Sequence, residues 1–264
     1  MLIFKYEDLD INYEIFDERE DKNDGAKPLL ILHGWMAKIE AMAPIYIHCK
    51  KYRPVYVIDF PGQAGKSSTL NKTWGVPEYS NMVKSFIENQ KIAGCDVIGH
   101  SFGGRVIIWL SSQYKDLFNK IILTDAAGIK PKMTAKKFFR IYSYKIARNV
   151  SKAFLSKEKY AKKLEEMRKK RGSSDYASLS SDVMRETFKN VIGLNLKDRL
   201  KDITNSTLLI WGENDQDTPL YMAKIMEKEI KDSGLVVIEN AGHFSYLDNT
   251  NKYLAVLDSF LINP

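Results

Sequence analysis

The chain has 264 residues, of which 44% are hydrophobic, and it carries a net charge of +7. This length and apolar content suffice for one large core, with or without an insertion, and they argue against disorder. No apolar run approaches the length of a bilayer span, and the first residues reach charge too soon for a secretory signal, so we expect a cytoplasmic protein without a transmembrane segment.

Strand-like and helix-like patterns alternate along the first half of the chain. Its apolar runs of strand length are residues 3–6, 11–16, 28–32, 55–58, 95–99 and 120–124. Runs such as 28–32 are continuously apolar, which is typical of parallel strands that are covered on both faces. The spacing of apolar residues at 81–91 and 105–110 predicts helices between these strands.

Residues 130–194 interrupt this alternation. The segment is rich in lysine and aromatic residues, and Phe138, Tyr142 and Ile146 fall on one helix face, which either packs on the core or lines a substrate entrance. We therefore predict two units. One is a core formed by residues 1–129 and 195–264, and the other is a helical cap inserted at 130–194.

The positive charge of the chain is concentrated in the cap segment. Residues 130–190 contain 18 Lys and Arg against 6 Asp and Glu, so the rest of the chain is net negative. Such asymmetry can mark a surface for nucleic acid or anionic membranes. The solvated face of amphipathic helices is the commoner origin. We expect no nucleic-acid partner and keep contact with an anionic surface as an alternative.

The pattern of the core resumes after the cap segment. Residues 207–211 and 235–238 predict strands, and 222–230 and 253–261 predict helices. Strands that alternate with helices favour an α/β fold with a mostly parallel sheet and helices on both faces. In such folds functional groups collect at the carboxyl ends of the strands.

The sequence Gly99-His100-Ser101-Phe102-Gly103 matches the G-x-S-x-G pattern, in which a serine lies on a sharp turn between a strand and a helix. Glycines on both sides allow neighbouring backbone to approach without a clash with Cβ. The pattern is common by chance, but here a predicted strand precedes it and a predicted helix follows it. Ser101 is therefore the candidate nucleophile.

A serine hydroxyl needs a base to accept its proton, and the chain has four histidines. His33 and His100 lie beside glycines at strand ends, and His48 lies in a predicted surface helix. Side chains that are adjacent on an extended path point to opposite sides, so His100 is more often a packing residue than a base for Ser101. His243 follows the last predicted strand in a loop and is our candidate base.

The carboxylate that orients this base should follow a strand between the nucleophile and the histidine. Three acids follow strand 207–211, and we favour Asp215 over Asp217 and Glu213. Asp125, at the end of strand 120–124, is a separate candidate whose structural alternative is a helix or loop cap.

The chain resembles the lidded α/β-hydrolases, in which the triad residues occur in the order serine, acid, histidine. The resemblance covers nearly the whole chain outside the cap segment. It rests on His33-Gly34-Trp35, Asp59-Phe60-Pro61-Gly62-Gln63-Ala64-Gly65-Lys66-Ser67, Gly99-His100-Ser101-Phe102-Gly103-Gly104, Trp211-Gly212-Glu213-Asn214-Asp215 and Ala241-Gly242-His243-Phe244.

The resemblance implies an α/β-hydrolase fold and a serine hydrolase that cleaves a small or medium carboxylic ester through an acyl-enzyme. It also implies an oxyanion hole formed by the backbone N–H groups of Trp35 and Phe102, since a tetrahedral oxyanion needs two fixed donors. We expect Trp35, Met36, His100 and Phe244 to line the substrate pocket. No cofactor or metal is implied, and the partner is a small-molecule substrate.

Other functions share the same core, because fold and triad do not determine the bond that is cleaved. The alternatives are a proline iminopeptidase, a carbon–carbon bond hydrolase and a ligand-binding protein that uses the same pocket. An aminopeptidase would need carboxylates for the substrate ammonium. In the cap segment these would be Glu158, Glu165 and Glu166, whose neighbours are lysines, and we rank this alternative lower.

Two further features are interpreted as structural. Cys49 and Cys95 are too few for a disulfide framework and lack the spacing of metal ligands, so we expect buried, reduced thiols. Gly65-Lys66-Ser67 resembles the end of a phosphate-binding loop, but that motif requires glycine at position 60, where the chain has phenylalanine.

Overall fold

The computed structural model describes residues 1–22, 24–131 and 181–262, together with positions 151, 159, 163 and 179. Eight strands form one sheet in the order β1-β2-β4-β3-β5-β6-β7-β8. Strand β2 pairs antiparallel with β1 and β4, and all other pairs are parallel. The strands are β1 (Leu2–Tyr6), β2 (Leu9–Phe16), β3 (Leu29–Leu32), β4 (Val55–Ile58), β5 (Cys95–His100), β6 (Phe118–Thr124), β7 (Thr207–Gly212) and β8 (Ser233–Ile238).

Helices cover both faces of this sheet. The α-helices of the described residues are α1 (Ala43–Cys49), α2 (Val76–Gln90), α3 (Phe102–Ser111), α4 (Asp182–Gly193), α5 (Tyr221–Glu229), α6 (Ser245–Asp248) and α7 (Thr250–Leu261). Short 3₁₀ helices lie at Ile39–Met42 and Lys197–Asp202. The predicted α/β fold with a mostly parallel sheet is confirmed.

Alternate residues of the central strands supply two separate apolar layers. Leu30 and Leu32 of β3 belong to the cluster that contains α2, α3 and α5. Leu29 and Ile31 belong to the cluster that contains α1, α6 and α7. Successive side chains of a strand point to opposite faces, so a continuously apolar run is what a strand with helices on both faces requires.

Four helices, α2, α3, α5 and α7, begin earlier than the apolar spacing predicts, and the starts of α2 and α3 have a visible cause. Helix α2 starts at residue 76 rather than 81, because Pro77 fits its first turn and Glu78 Oε2 accepts the Gly75 N–H at 2.7 Å. Helix α3 starts at Phe102, since the turn at Ser101 leads directly into it. Periodicity alone misses such starts because the first turn is specified by capping.

Both cysteines are free and buried, as predicted. Burial raises the pKa of the Cys49 thiol to about 11 and that of Cys95 to about 12. Within the described ranges, no helix has the length and apolar character that a bilayer crossing would require.

The described end of the cap segment is helix α4, which packs on the core. The Trp74 N–H donates to Thr187 Oγ1 at 3.0 Å, and the Phe188 ring lies 5.2 Å from that of Trp35. The division at residues 130 and 194 stays a prediction. Several residues that the sequence singled out lie outside the described residues, namely Phe138, Tyr142, Ile146, Glu158, Glu165 and Glu166.

The residues that flank the predicted cap segment meet at one place on the core. The Leu196 N–H donates to the Gly128 carbonyl at 2.9 Å, so the residues just outside the two predicted boundaries are hydrogen-bonded to each other. Arg105, which is buried in α3, donates from Nη1 to the Leu194 carbonyl at 2.8 Å. Both ends of the segment are therefore fastened beside the helix that follows Ser101.

Candidate active site

Ser101 lies on the turn between β5 and α3 with φ 49° and ψ −107°. L-residues other than glycine seldom adopt this backbone conformation. Close packing holds it there. A Cβ at Gly103 would lie 2.2 Å from the Leu32 carbonyl oxygen, and one at Gly99 would lie 2.7 Å from the backbone of Gly103. The flanking glycines of the motif are therefore required by backbone contact, and the turn exposes the serine hydroxyl at the carboxyl end of the sheet.

The structure brings Ser101, His243 and Asp215 together. His243, in the loop between β8 and α6, places Nε2 3.0 Å from Ser101 Oγ. Its Nδ1 lies 2.8 Å from Asp215 Oδ2. Because a carboxylate only accepts, Nδ1 carries the proton, and Nε2 is left to accept the serine hydroxyl proton.

Asp215 is held in place by its own turn. Its Oδ1 accepts the N–H groups of Asp217 and Thr218 at 2.8 and 2.9 Å, and its Oδ2 accepts the Thr218 hydroxyl at 2.7 Å. Burial alone would raise the pKa of Asp215, but the hydrogen bonds and charge of His243, with the bonds from Thr218, hold it below its ordinary value. Asp215 is therefore ionised and oriented.

The other candidate acids make no hydrogen bond to His243 Nδ1. Asp125 accepts the Gly212 N–H at 2.8 Å and the N–H and hydroxyl of Ser245 at 3.0 and 2.7 Å, so it ties β7 to the start of α6. Burial raises the pKa of Asp125 to about 6. Glu213 accepts the Asn240 N–H at 3.1 Å. Among the described residues, only Asp215 and Thr218 come within hydrogen-bond distance of His243 Nδ1.

Thr218 was missed by sequence reasoning. Its one hydroxyl proton is shared between Asp215 Oδ2, at 2.7 Å, and the Asp125 carbonyl oxygen, at 3.0 Å, and its Oγ1 lies 3.4 Å from His243 Nδ1. An available signal was the spacing of Asp215 and Thr218, because an aspartate that accepts N–H groups two and three residues later forms a recognisable turn.

His100 supports the loop that carries His243. Its ring is 2% exposed, and Nε2 lies 2.8 Å from the His243 carbonyl oxygen, to which only a protonated nitrogen can donate. Burial, with the nearby His243, lowers the pKa of His100 to about 3. The imidazole is thus neutral at pH 7, and its one proton is used for this bond.

The N–H groups of Trp35 and Phe102 have no acceptor among the residues that the structure describes. The Trp35 N–H belongs to the same peptide unit as the Gly34 carbonyl, which accepts the Ala37 N–H at 3.2 Å and lies 2.8 Å from His33 Nδ1. The Phe60 N–H donates to His33 Nε2 at 3.1 Å, so the proton of this ring is on Nδ1. The peptide unit is therefore fixed on its carbonyl side.

The residues expected to line the pocket differ in burial. Trp35 and Met36 are partly buried, and the Trp35 ring lies 5.3 Å from that of Phe102. Phe244 is 44% exposed beside His100. Phe188 of α4 contacts Trp35 and was not anticipated, because no local pattern reveals which core residue a cap helix will reach.

Within the described residues, one group of side chains could in principle hold a metal ion. Its members are Asp215, Asp217 and His243, whose possible ligand atoms lie within 4.8 Å of one another. Two of these residues already hydrogen-bond to each other. We therefore assign no metal to the group.

We expect kcat/KM to fall on the acid side with a midpoint above about 6.5, the ordinary pKa of a histidine. Burial would lower the pKa of His243, but the hydrogen bond and charge of Asp215, with the charges of Asp125 and Asp217, raise it. Below that pKa the imidazole is protonated and cannot accept the Ser101 proton. The pH profile for a neutral substrate measures this midpoint. A midpoint at or below pH 6 would contradict the assignment to His243.

Residues 27–250 match the sequence model of the alpha/beta hydrolase fold family. The chain belongs to this family and is a hydrolase.

Two curated relatives span nearly all of the chain. It is 22% identical over 260 residues to the pimeloyl-[acyl-carrier protein] methyl ester esterase of Neisseria meningitidis serogroup C, covering 92% of this chain and 97% of that protein. It is 25% identical over 278 residues to the proline iminopeptidase of Clostridioides difficile, covering 91% and 92%. Among solved structures, the enol-lactonase from Burkholderia xenovorans LB400 superimposes with a TM-score of 0.76 at 15% identity, covering 99% of this chain and 100% of that one.

Proposed function

We propose that the protein is a serine hydrolase that cleaves a small or medium carboxylic ester through an acyl-enzyme. The observation that carries the proposal is the unbroken path from Ser101 Oγ to His243 Nε2, at 3.0 Å, and from His243 Nδ1 to Asp215 Oδ2, at 2.8 Å. Ser101 is the nucleophile, His243 the general base and acid, and Asp215 the group that holds the imidazole in the required tautomer.

In the first half of the reaction, Ser101 Oγ attacks the ester carbonyl carbon while its proton passes to His243 Nε2. The carbonyl oxygen becomes an oxyanion, which the N–H groups of Trp35 and Phe102 stabilise. The carbon–oxygen bond to the alcohol then breaks, and Nε2 returns its proton to the leaving alkoxide. The acid is left esterified to Ser101.

In the second half, water takes the place of the alcohol. His243 Nε2 accepts a proton from the water as its oxygen attacks the acyl carbon, and the same two N–H groups bind the second oxyanion. The bond to Ser101 Oγ breaks and the serine oxygen regains a proton from Nε2. The Asp215 carboxylate stabilises the imidazolium in both halves.

An ester is the substrate class that the relatives favour most. The Neisseria meningitidis relative is named as a methyl ester esterase. The Burkholderia xenovorans structure is that of an enol-lactonase, and a lactone is an internal ester. The proline iminopeptidase relative keeps an amide substrate as the second candidate. The glutamates that this alternative requires lie outside the described residues. A cytoplasmic location and contact of the cap with an anionic surface stay predictions.

A substrate screen combined with covalent labelling tests this function. We expect p-nitrophenyl esters of graded acyl length to be hydrolysed with a clear optimum and prolyl amides to be cleaved slowly or not at all. We also expect a fluorophosphonate probe to label one serine per chain, found by mass spectrometry in the peptide that contains Ser101. Faster cleavage of the amides would favour the peptidase. If the protein shows no turnover and is not labelled, the result would favour a ligand-binding protein.

A further inference from the structure

His100 is a buried imidazole whose two nitrogens are treated differently. Its Nε2 donates to the His243 carbonyl oxygen at 2.8 Å, so Nε2 carries the one proton of the neutral ring. Its Nδ1 is buried and has no hydrogen-bond partner among the residues that the structure describes. A buried nitrogen without a partner is unfavourable, and an apolar ring would avoid it. The bond to His243 is therefore what a histidine provides here and a phenylalanine would not.

That bond joins three residues in a closed path. Ser101 follows His100 in the chain, and Ser101 Oγ lies 3.0 Å from His243 Nε2. The His243 side chain thus reaches Ser101, while the His243 backbone is held by the residue just before Ser101. One peptide bond and two hydrogen bonds connect the three residues, so the His243 backbone cannot move away from the end of β5 without breaking its bond to His100.

The His100 ring also contacts the segments around it. Its centroid lies 5.0 to 5.2 Å from the ring centroids of His243, Phe244 and Tyr246. A Cβ at Gly34 would lie 2.7 Å from Nδ1, so the imidazole rests against the backbone that leads into the proposed oxyanion hole. These contacts fix the orientation of the ring, and with it the direction in which Nε2 donates.

We propose that His100 is a positioning residue for the general base, whose N–H holds the His243 backbone at the distance from which the imidazole reaches Ser101 Oγ. The inference rests on the proposed function, because it assumes that His243 accepts the Ser101 proton. His100 acts through the His243 carbonyl and takes no proton from Ser101.

The test compares His100→Phe with His100→Gln. Phenylalanine keeps a ring against Phe244 and Tyr246 but removes the donor, whereas glutamine gives up the ring and keeps an N–H donor at a similar reach. We expect His100→Phe to lower kcat about 10- to 100-fold with KM within about twofold, because displacement of a reacting group by ~1 Å can cost ~10²-fold. His100→Gln should keep kcat within about fivefold of the wild type, since the bond can still form.

The fluorophosphonate separates misplacement of His243 from misfolding. The final extent of labelling counts the folded active sites, and all rates refer to that count. The rate constant of labelling in His100→Phe should fall by about the same factor as kcat, because both reactions require His243 to accept the Ser101 proton. His100→Leu, which has a smaller side chain, gives the same comparison if the larger ring reduces the number of sites that can be labelled.

Tyr246→Phe is the matched control for packing around His100. It removes a buried hydroxyl that has no hydrogen-bond partner within the described ranges, from a ring 5.2 Å from that of His100. Because no bond to His243 is lost, we expect kcat to stay within about twofold of the wild type.

The pH profile separates a positioning residue from a second base. Burial, with the nearby His243, lowers the pKa of His100 to about 3, whereas the bond and charge of Asp215 raise that of His243. The acid limb of kcat/KM therefore belongs to His243, and His100→Gln should leave its midpoint and slope unchanged.

Four results would overturn the inference while the proposed function stands. They are a kcat unaltered by His100→Phe and His100→Leu, an equal loss in His100→Phe and His100→Gln, a loss of the same size in Tyr246→Phe, and an acid limb that loses an ionisation in His100→Gln. A wild-type protein that neither hydrolyses esters nor reacts with the probe would overturn both proposals.

Discussion

Replacement of Ser101 by alanine is expected to lower kcat by about 10⁶ and to abolish labelling by the fluorophosphonate, because removal of the nucleophile from an interdependent triad costs nearly as much as removal of the whole triad. Substrate binding should persist, since the N–H groups of Trp35 and Phe102 and the pocket walls are unchanged. Active-site-titrated kinetics on the best ester of the screen give the factor.

Ser259→Ala in α7 is the matched control, because this exposed hydroxyl bonds only to the Val256 carbonyl among the described residues. Its kcat should equal that of the wild type. The expected loss in Ser101→Ala is about 10⁶. If this variant keeps more than about a thousandth of the wild-type rate, and the activity co-purifies with the protein, the acyl-enzyme route at Ser101 is excluded.

The second large effect is expected for Asp215→Asn, which should lower kcat by about 10⁴. The asparagine amide has nearly the same shape, and its oxygen can still accept from Thr218. It can also donate to His243 Nδ1, which leaves the proton on Nε2, where it blocks transfer from Ser101. Because the charge of Asp215 raises the pKa of His243, the acid limb of kcat/KM should also move to lower pH.

Asp217→Asn serves as the comparison, since Asp217 is an exposed neighbour whose backbone N–H, not its side chain, contacts Asp215. We expect it to change kcat by less than about threefold, because the hydrogen bond that orients His243 Nδ1 comes from Asp215 and the charge of Asp217 is the smallest of those that raise the pKa of His243. If Asp217→Asn or Asp125→Asn were more damaging to kcat than Asp215→Asn, the acid would have been assigned to the wrong residue.

The parts of the site that sequence reasoning located have local signals. Ser101 is bracketed by glycines that backbone contact requires, and a buried strand precedes it. Asp215 and His243 each follow a strand whose apolar run is continuous. Since parallel strands present their carboxyl ends at one edge of the sheet, residues at those ends are expected near one another even when they are far apart in the chain.

The parts that sequence reasoning missed depend on contacts between segments. Gln63 meets Met36 across 27 positions, and Phe188 meets Trp35 from a helix at the end of the predicted cap segment. Neither pair has a periodicity or spacing that could reveal it. The start of α2 at Val76 was missed for a different reason, because a cap specified by Gly75 and Glu78 is invisible to a search for apolar repeats.

The absence of a side chain at Gly103 has a wider consequence. It allows α3 to rest directly on the Leu32 carbonyl of β3, the strand that pairs with β5. The two N–H groups proposed for the oxyanion hole, those of Trp35 and Phe102, therefore follow neighbouring strands. We expect their separation to follow the spacing of hydrogen-bonded strands, about 4.8 Å in any sheet. Because the predicted cap at 130–194 lies outside both turns, we expect changes in its length, charge or aromatic content to alter substrate choice without moving these N–H groups.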